Sequence, residues 1–448
     1  KYLSAQFDLL IRQADKMNIK TQVYLGSRVI DMKDHPAQQQ VEIFVNGPES
    51  YRYDHAIICT GHKWPVKYEG QIPGYFDSPY PPHKLERKVN HAVAIKGSSL
   101  TAIDAIKTLA RYHGQFQENV NGHLCFIPAA DCPEFKMIMH SRNGLLPAVR
   151  IHLEDPMVED VTLLTKEQIH EQMTQNEGFL SLDFVFEKNF KDTFKTKDPI
   201  FYERIKDMTL ENFVEWMMHL RENLEPFQLF RAEYVEAEKS IRSKESIHWK
   251  EMLGILSFAL NYPAKHLSAE DMLRLQKVLM PLISIVIAFV PQGSCKELMA
   301  LHDAGKLDLI SVGSESNIQV EKTGGVTFKY NANAVFYNTF IDCTGQPHFS
   351  YEEFPFKSML KMKTVSPAYI KFQSQSGAKE SLAKAAKDVE LDAEGNYYLR
   401  VPGVKVNDYF QVVGEDEFGN NRIYLMAVPH MGGYNPDYSG LDFCAEAS

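Results

Sequence analysis

The sequence predicts an α/β protein with two Rossmann-like dinucleotide-binding domains, of the three-layer ββα type, and a mainly helical insertion. Three observations lead there. One passage is written twice, from about Phe7 to Gly61 and from about Leu298 to Gly345, and both copies end in Cys-Thr-Gly. A strand, a tight glycine turn and a helix stand between the copies, from His91 to Ala105. Residues 152–292 carry helical periodicity.

In the first copy, Phe7–Asp15 reads as an amphipathic helix, Ile19–Leu25 as a strand, and Ala56–Gly61 as an apolar strand after a β-meander. In the second, the helix is Leu298–Gly305, the strand Leu307–Val312, and the closing strand Phe340–Gly345. A buried strand that ends in Thr-Gly lets backbone approach a ligand closely, because glycine has no Cβ. Thr60 and Gly61, and their counterparts Thr344 and Gly345, are therefore candidate cofactor-binding residues. Two such halves imply two dinucleotides on one protein, a flavin and a nicotinamide. Chance likeness of two αβ segments is the competing explanation.

The unit between the copies starts with the apolar strand Ala92–Ile95, turns at Gly97, and continues with Leu100, Ile103, Ile106, Leu109 and Ala110 at helical spacing. Set against Gly-x-Gly-x-x-Gly, it reads Gly97-x-Ser99-x-x-Ala102. The first glycine gives the turn, and alanine at the third position still allows close helix–strand packing. Serine at the second position is the departure, and its hydroxyl could bond a phosphate oxygen. The free N–H groups at the start of the helix, with its positive dipole end, suit a pyrophosphate. A purely structural strand–turn–helix is the alternative. The next strand is Lys136–His140, followed by Ser141-Arg142. An NAD site places an acidic residue near here for the ribose diol. No Asp or Glu follows this strand; Arg142 does, and a guanidinium favours a 2′-phosphate, pointing to NADP(H). A solvated surface charge is the plainer reading of Arg142.

The predicted domains are 1–84 with 351–448, then 85–151 with 293–350, and the insertion 152–292. A chain of 448 residues exceeds one ordinary core. Its net charge of −10 argues against a nucleic-acid partner. None of the six cysteines forms a Cys-x-x-Cys pair, so zinc and redox-disulfide chemistry lack their usual signature and no metal is expected. Cys59 and Cys343 end predicted buried strands, and reduced, buried thiols in a cytoplasmic protein are expected. The most apolar run, Leu279–Val290, is far shorter than the roughly 20 residues a bilayer needs, so a buried helix and no membrane partner are expected.

Within the insertion, Thr209 and Ser268 read as helix starts. The aromatic stripe of Phe213, Trp216 and Phe227 reads as core, and the charge-rich stretch Glu233–Glu251 as a solvated helix. Near the end, the Gly- and Asn-rich loop Val428–Asp442 leads into a helix at Leu441, a place where a flavin ring could meet helix N–H groups; an ordinary loop is the alternative. The chain opens inside a helical pattern at Lys1, and only the second repeat copy is preceded by a strand–glycine turn–helix unit. That asymmetry supports a start that is cut, with a strand–glycine turn–helix unit expected ahead of Lys1.

Several pieces are similar to one family: Ala56–Pro65 with its Thr-Gly-His-x-Trp-Pro, Gly97–Ala105, Ser141–Pro147 with Ser-Arg-x-Gly-x-x-Pro, Phe340–Gln346, and Gly440–Glu446. In this order they resemble the bacterial FAD/NAD(P)-binding proteins, two-dinucleotide flavoproteins related in architecture to the N-hydroxylating monooxygenases. The resemblance implies roles. Arg28 and Val29 would lie near the FAD adenine; Thr60, Gly61 and His62 would line the FAD site; Gly440 and Leu441 would approach the isoalloxazine. Gly97, Ser98, Ser99, Leu100 and Thr101 would hold the NADP(H) pyrophosphate, with Arg142 at the 2′-phosphate. It also implies an FAD-dependent oxidoreductase using NADPH, extending to monooxygenase chemistry on an unidentified small substrate. A non-catalytic nucleotide-binding or regulatory protein on the same scaffold is the alternative. The catalytic residues are not identified; His62 is the candidate proton carrier, or else a structural hydrogen-bonding histidine.

Overall fold

The computed structural model describes residues 2–61, 64–154, 164–261, 263–346, 348–385 and 388–431. The chain begins with α1 (Tyr2–Lys16), β1 (Val29–His35), β2 (Gln40–Val45), β3 (Ser50–Tyr53), β4 (Ala56–Ile58) and β5 (Tyr75–Phe76). Then come β6 (Ala92–Lys96), α2 (Leu100–His113), a hairpin of β7 (Gly114–Glu118) and β8 (Leu124–Pro128), and β9 (Lys136–Ser141). The insertion runs through α3 (Lys166–Gln175), α4 (Leu182–Asn189), α5 (Phe194–Lys197), α6 (Pro199–Ile205), α7 (Leu210–Glu222), α8 (Pro226–Ser243), α9 (His248–Asn261), α10 (Ala269–Arg274) and α11 (Met280–Val286). Next are α12 (Gln292–Asp303), β10 (Leu307–Ser311), β11 (Asn317–Val320), β12 (Val326–Tyr330), β13 (Asn333–Tyr337) and β14 (Thr339–Asp342). The last elements are α13 (Lys357–Lys361), β15 (Pro367–Lys371), α14 (Gln375–Ala385), β16 (Val389–Leu391), β17 (Tyr397–Val404), β18 (Gln411–Val413) and β19 (Gly419–Leu425).

These elements form two compact units. The first joins Lys1–Cys59, Ser350–Ser366 and Val404–Met426; the second holds Thr60–Phe349, Pro367–Gly403 and Ala427–Ser448.

In the first unit β1, β2 and β3 form an antiparallel meander, and β4 lies parallel to β19. A buried ion pair ties the meander to β19: Arg422 Nε and Nη2 donate to Asp34 Oδ1 and Oδ2 at 2.9 and 2.8 Å. Asp31 holds the start of α13 by accepting from the backbone N and Oγ of Ser358 at 3.0 and 2.6 Å. Two expectations fail here. Ile19–Leu25 is not a strand: no described strand pairs with it, and Ile19, Val23, Tyr24 and Leu25 are all exposed. Without a neighbour to take its N–H and C=O groups, β-propensity has nothing to act on. Cys59 is exposed: burial alternates along this stretch, with Ala56 and Ile58 buried and Ile57 and Cys59 facing out.

The second unit is built on a five-stranded parallel sheet in the order β10-β9-β6-β14-β5. Here Leu307–Ser311 does form a strand, pairing in register with Met137–Ser141. Side chains alternate across the sheet with period two. Val93, Ile95, Met137, Met139 and Ile341 face a core completed by Ile103, Ile106 and Leu109 of α2 and Leu298 and Leu301 of α12. Ala94 and Phe340 face the opposite way, onto Val326, Phe328 and Tyr337 of the meander β11–β13. Meander, sheet and helices make three layers.

The insertion is helical over its described residues. Thr209 and Ser268 are N-caps, accepting from the backbone N of Asn212 and Asp271 at 3.2 Å each. Phe213 and Phe227 are buried. The stretch Glu233–Glu251 is not simply a solvated face. Glu233, Lys250 and Glu251 are buried, and Lys250 Nζ donates to Glu233 Oε1 at 3.1 Å and Glu236 Oε2 at 2.9 Å. Arg221 of α7 approaches the same Glu233 oxygen at 2.8 Å. Glu233 and Lys250 survive burial because they are paired, and Glu251 accepts from the backbone N of Glu154 at 3.0 Å. The apolar run Leu279–Val290 buries Leu279, Leu282, Ile283, Val286 and Val290, and no described helix is long and apolar enough to cross a membrane.

Candidate functional site

The ends of β9, β6 and β14 create the site. Chain order reverses at β6: the path through α2 leads to β9 on one side, while β14 lies on the other. Parallel α/β sheets hold ligands in the crevice beyond the carboxyl ends of strands at such a point. Gly97 occupies it. Its φ is +108°, its N–H donates to His140 O at 2.8 Å, and a Cβ at this position would stand 2.8 Å from the Cys343 carbonyl oxygen. Only glycine passes between these two strand ends without displacing backbone.

Ser98 Oγ donates to Leu145 O at 2.6 Å, which fastens the 142–147 loop to the turn. Ser99 is the N-cap of α2, extended at φ −92°, and its side chain makes no cap hydrogen bond. The second glycine of the motif is thus replaced at a position whose backbone any residue can adopt. Helical bonding starts with Ala102 N donating to Ser99 O, so the N–H groups of Leu100 and Thr101 precede the ladder. No acidic residue lies in the first turn to compete for them.

Two adjoining cavities open over these strand ends. One, of about 510 Å³, is lined by Gly97, Ser98, Ser99, His140, Arg142 and Asn143, with Pro281, Ser284 and Ile285 from α11. Arg142 is exposed, and its guanidinium has no hydrogen-bond or ion-pair partner among the described residues. Its own carbonyl is held by Gly313 N at 3.0 Å and Ser311 Oγ at 3.1 Å. The other cavity, of about 520 Å³, is lined by Trp64, Tyr68, Tyr75, Asp342, Gly345 and Gln346, among others. Lys96, Ser316, Phe328 and Thr344 line both. Lys96 Nζ stands 3.6 Å from Asp342 Oδ2. Asp342 Oδ1 accepts from Thr344 N at 3.0 Å and Thr344 Oγ1 at 2.6 Å, which sets the Cys-Thr-Gly turn.

The titratable groups are tuned mainly by burial. His140 is 2% exposed, with Nε2 3.2 Å from Tyr337 Oη and the Phe328 ring edge-on at 4.4 Å. Burial pushes its pKa down to about 4, opposed by nearby carbonyls of Ile95 and Ile138. Burial likewise raises the Cys343 thiol well above its ordinary range, so it is a packed, protonated group and not a nucleophile. Tyr80, its ring tilted against Trp64 at 5.4 Å, donates to Asp104 Oδ2 at 2.5 Å, and burial plus that carboxylate raise its phenol.

Of the residues singled out from sequence, Gly97, Ser98, Ser99, Arg142 and Thr344 line one cavity; Leu100 and Thr101 begin α2, and Gly345 lines the adjoining cavity. Arg28 and the exposed Val29 belong to the first unit, where Arg28 N donates to Asn46 Oδ1 at 3.0 Å. Thr60 and Gly61 open the second unit and are exposed. His62, Gly440 and Leu441 lie outside the described residues, as does the Val428–Asp442 loop beyond Met431. Sequence reasoning missed Lys96, Asp342, Asn143, Pro281 and Ile285. Lys96, Asp342 and Asn143 adjoin or lie within two residues of Gly97, Thr344 and Arg142, and that was their available signal. Pro281 and Ile285 arrive from the insertion and carried none.

Comparison with known proteins gives three findings. Residues 165–287 match the family described as the YdhS-like middle domain, and this span is the α3–α11 insertion. The whole chain is similar to the uncharacterized protein YdhS of Escherichia coli (strain K12): 26% identical over 449 residues, covering 100% of this chain and 76% of that one. Among solved structures, the bacillithiol disulfide reductase Bdr (YpdA) from Staphylococcus aureus aligns with a TM-score of 0.33 at 10% identity, covering 95% of this chain and 67% of the other. The FAD-bound cadaverine monooxygenase DfoA from Erwinia amylovora gives 0.33 at 10% identity, over 92% and 64%. FAD-bound OTEMO gives 0.38 at 13% identity, over 99% and 68%. This chain therefore spans about two thirds of those proteins, and scores this low carry neither fold nor activity across to it.

Proposed function

We propose that the second unit binds NADP(H) over the ends of β9, β6 and β14, and that the protein is an NADPH-using, FAD-dependent oxidoreductase built from two Rossmann-like halves. One observation carries the nucleotide half. Gly97 sits where a Cβ would strike the Cys343 carbonyl, at the strand-order reversal, in front of a helix start without acidic residues. The pyrophosphate would take the N–H groups of Ser99, Leu100 and Thr101. Arg142, without a protein partner among the described residues, would take the 2′-phosphate. Thr344 and Gly345 would face the nicotinamide half in the second cavity, where Lys96 and Asp342 offer a fixed charge pair.

The fit for a flavin is different. The first unit contains no strand–glycine turn–helix among its described residues, and Arg28 and Val29 do not by themselves form a pyrophosphate cradle. The flavin assignment rests on the sequence resemblance. When bound, such a cofactor would accept hydride from the nicotinamide. Monooxygenase chemistry would further require the reduced flavin to react quickly with O₂; a reduced flavin that reacts slowly would mark a dehydrogenase.

The test is titration calorimetry with NADPH and NADH, followed by an anaerobic visible spectrum with FAD and NADPH present. Tight NADPH binding with flavin bleaching supports the oxidoreductase. NADPH binding with no turnover of any acceptor supports a nucleotide-binding regulatory protein. No binding of either nucleotide sinks the proposal.

A further inference from the structure

The cavity next to Arg142 has a wall that a bare nucleotide domain does not possess. Pro281, Ser284 and Ile285 of α11 line it together with Gly97 and Ser99. This wall is stitched to the Arg142 loop. Ala148 N donates to Ile285 O at 2.9 Å, Val290 N to Ala148 O at 2.9 Å, and Arg150 N to Val290 O at 3.0 Å. Val149 and Val290 form a parallel bridge, and Gln292 Nε2 donates to Arg150 O at 3.1 Å. Local chemistry places the wall. Pro281 cannot donate to the carbonyl four residues earlier, and a π-helical turn over Leu275–Leu279 absorbs the mismatch immediately before α11. Leu282, Ile283 and Val286 then anchor the inner face in the insertion core, leaving Pro281 and Ile285 half-buried at the cavity.

We infer that α11 is the base-recognition wall of the nucleotide site: Pro281 and Ile285 cover one face of an adenine, and the Asn143 amide reads its edge. The chemistry is complementary. A purine presents two apolar faces and an edge of alternating donors and acceptors, and an amide offers both a donor pair and an acceptor. Asn143 lines the cavity, and its side chain has no hydrogen-bond partner among the described residues. Arg142, the next residue back, would hold the phosphate on the ribose. The helical insertion would then be part of the ligand site and set its preference for adenine nucleotides. This rests on the nucleotide reading of the Gly97 cleft.

The test uses the purified chain and titration calorimetry with 2′,5′-ADP, ADP and nicotinamide mononucleotide. Two variants are compared: Ile285→Ala, which trims the wall, and Ser284→Trp, which fills the cavity from an exposed position without touching the core. Thermal melts confirm that each remains folded. Expected is a loss of roughly tenfold or more in 2′,5′-ADP and ADP affinity for both variants, with mononucleotide binding unchanged. Asn143→Ala should weaken 2′,5′-ADP and ADP by roughly three- to tenfold, since the hydrogen bonds to the base edge are lost, with mononucleotide binding unchanged. Wild-type binding of 2′,5′-ADP that both variants retain overturns the role of α11 and leaves the nucleotide site standing. No binding of any probe to the wild type overturns the nucleotide reading, and this inference with it.

Discussion

Acidification should weaken this protein through His140, and the size of the effect follows from its surroundings. The ring is 2% exposed, with Phe328 at 4.4 Å and Tyr337 at 5.4 Å, so burial favours the neutral imidazole and lowers the pKa from 6.5 to about 4. The unfolded chain therefore binds this proton more readily than the folded one. Stability from the group is fully present above pH 6.5 and is lost as pH falls from there toward 4. The full difference is about 3 kcal/mol, at 1.36 kcal/mol per pKa unit, and about 2 kcal/mol has gone by pH 5. Urea unfolding at pH 7.5, 6 and 5 measures it. Because burial also lowers His113 and His248, the wild type must be compared with His140→Phe, whose stability should fall less by about 2 kcal/mol over the same span. A parallel NMR titration should find His140 still neutral at pH 5. Equal acid losses in the two proteins, or a ring that titrates near 6.5, would refute the reasoning.

Three further substitutions probe the account. Gly97→Ala forces a side chain into a left-handed turn and against the Cys343 carbonyl; a stability loss of about 1–3 kcal/mol in chemical melts should accompany loss of NADPH binding. Arg142→Ala should weaken NADPH roughly tenfold by calorimetry while leaving NADH within about twofold, since only the 2′-phosphate contact is removed. Glu233→Gln leaves Arg221 and Lys250 buried with their shared carboxylate gone; thermal and urea melts should show about 3 kcal/mol of destabilisation, with NADPH affinity retained in the folded fraction.

Much of the second unit was legible because its signals are local. The apolar run at Ala92–Ile95, the glycine after it and the helical spacing from Leu100 lie within about twenty residues, and they recover β6, the turn and α2. Thr209 and Ser268 were readable as caps for the same reason: a side chain and an N–H three residues on decide the matter. What failed depended on partners. Ile19–Leu25 has the composition of a strand but no described neighbour, whereas Leu307–Ser311, of similar composition, has β9. The Glu233–Glu251 stretch looked solvated because charge along one helix says nothing of Arg221 on another. The hairpin Gly114–Pro128 lies between α2 and β9, and its two strands are defined only by their pairing with each other, Gly114 with Pro128 through Glu118 with Leu124. Pro281 and Ile285 reach the cavity only through the π-turn and the stitching of residues 285–290 to the loop after Arg142, which no short window of sequence contains.

The most direct test of the central claim is calorimetric titration of NADPH into the wild-type protein and into Arg142→Ala. The account predicts one site in the wild type, weakened roughly tenfold in the variant, with NADH binding little changed between the two. Equal NADPH affinity in both proteins, or no NADPH binding to the wild type at all, would contradict it.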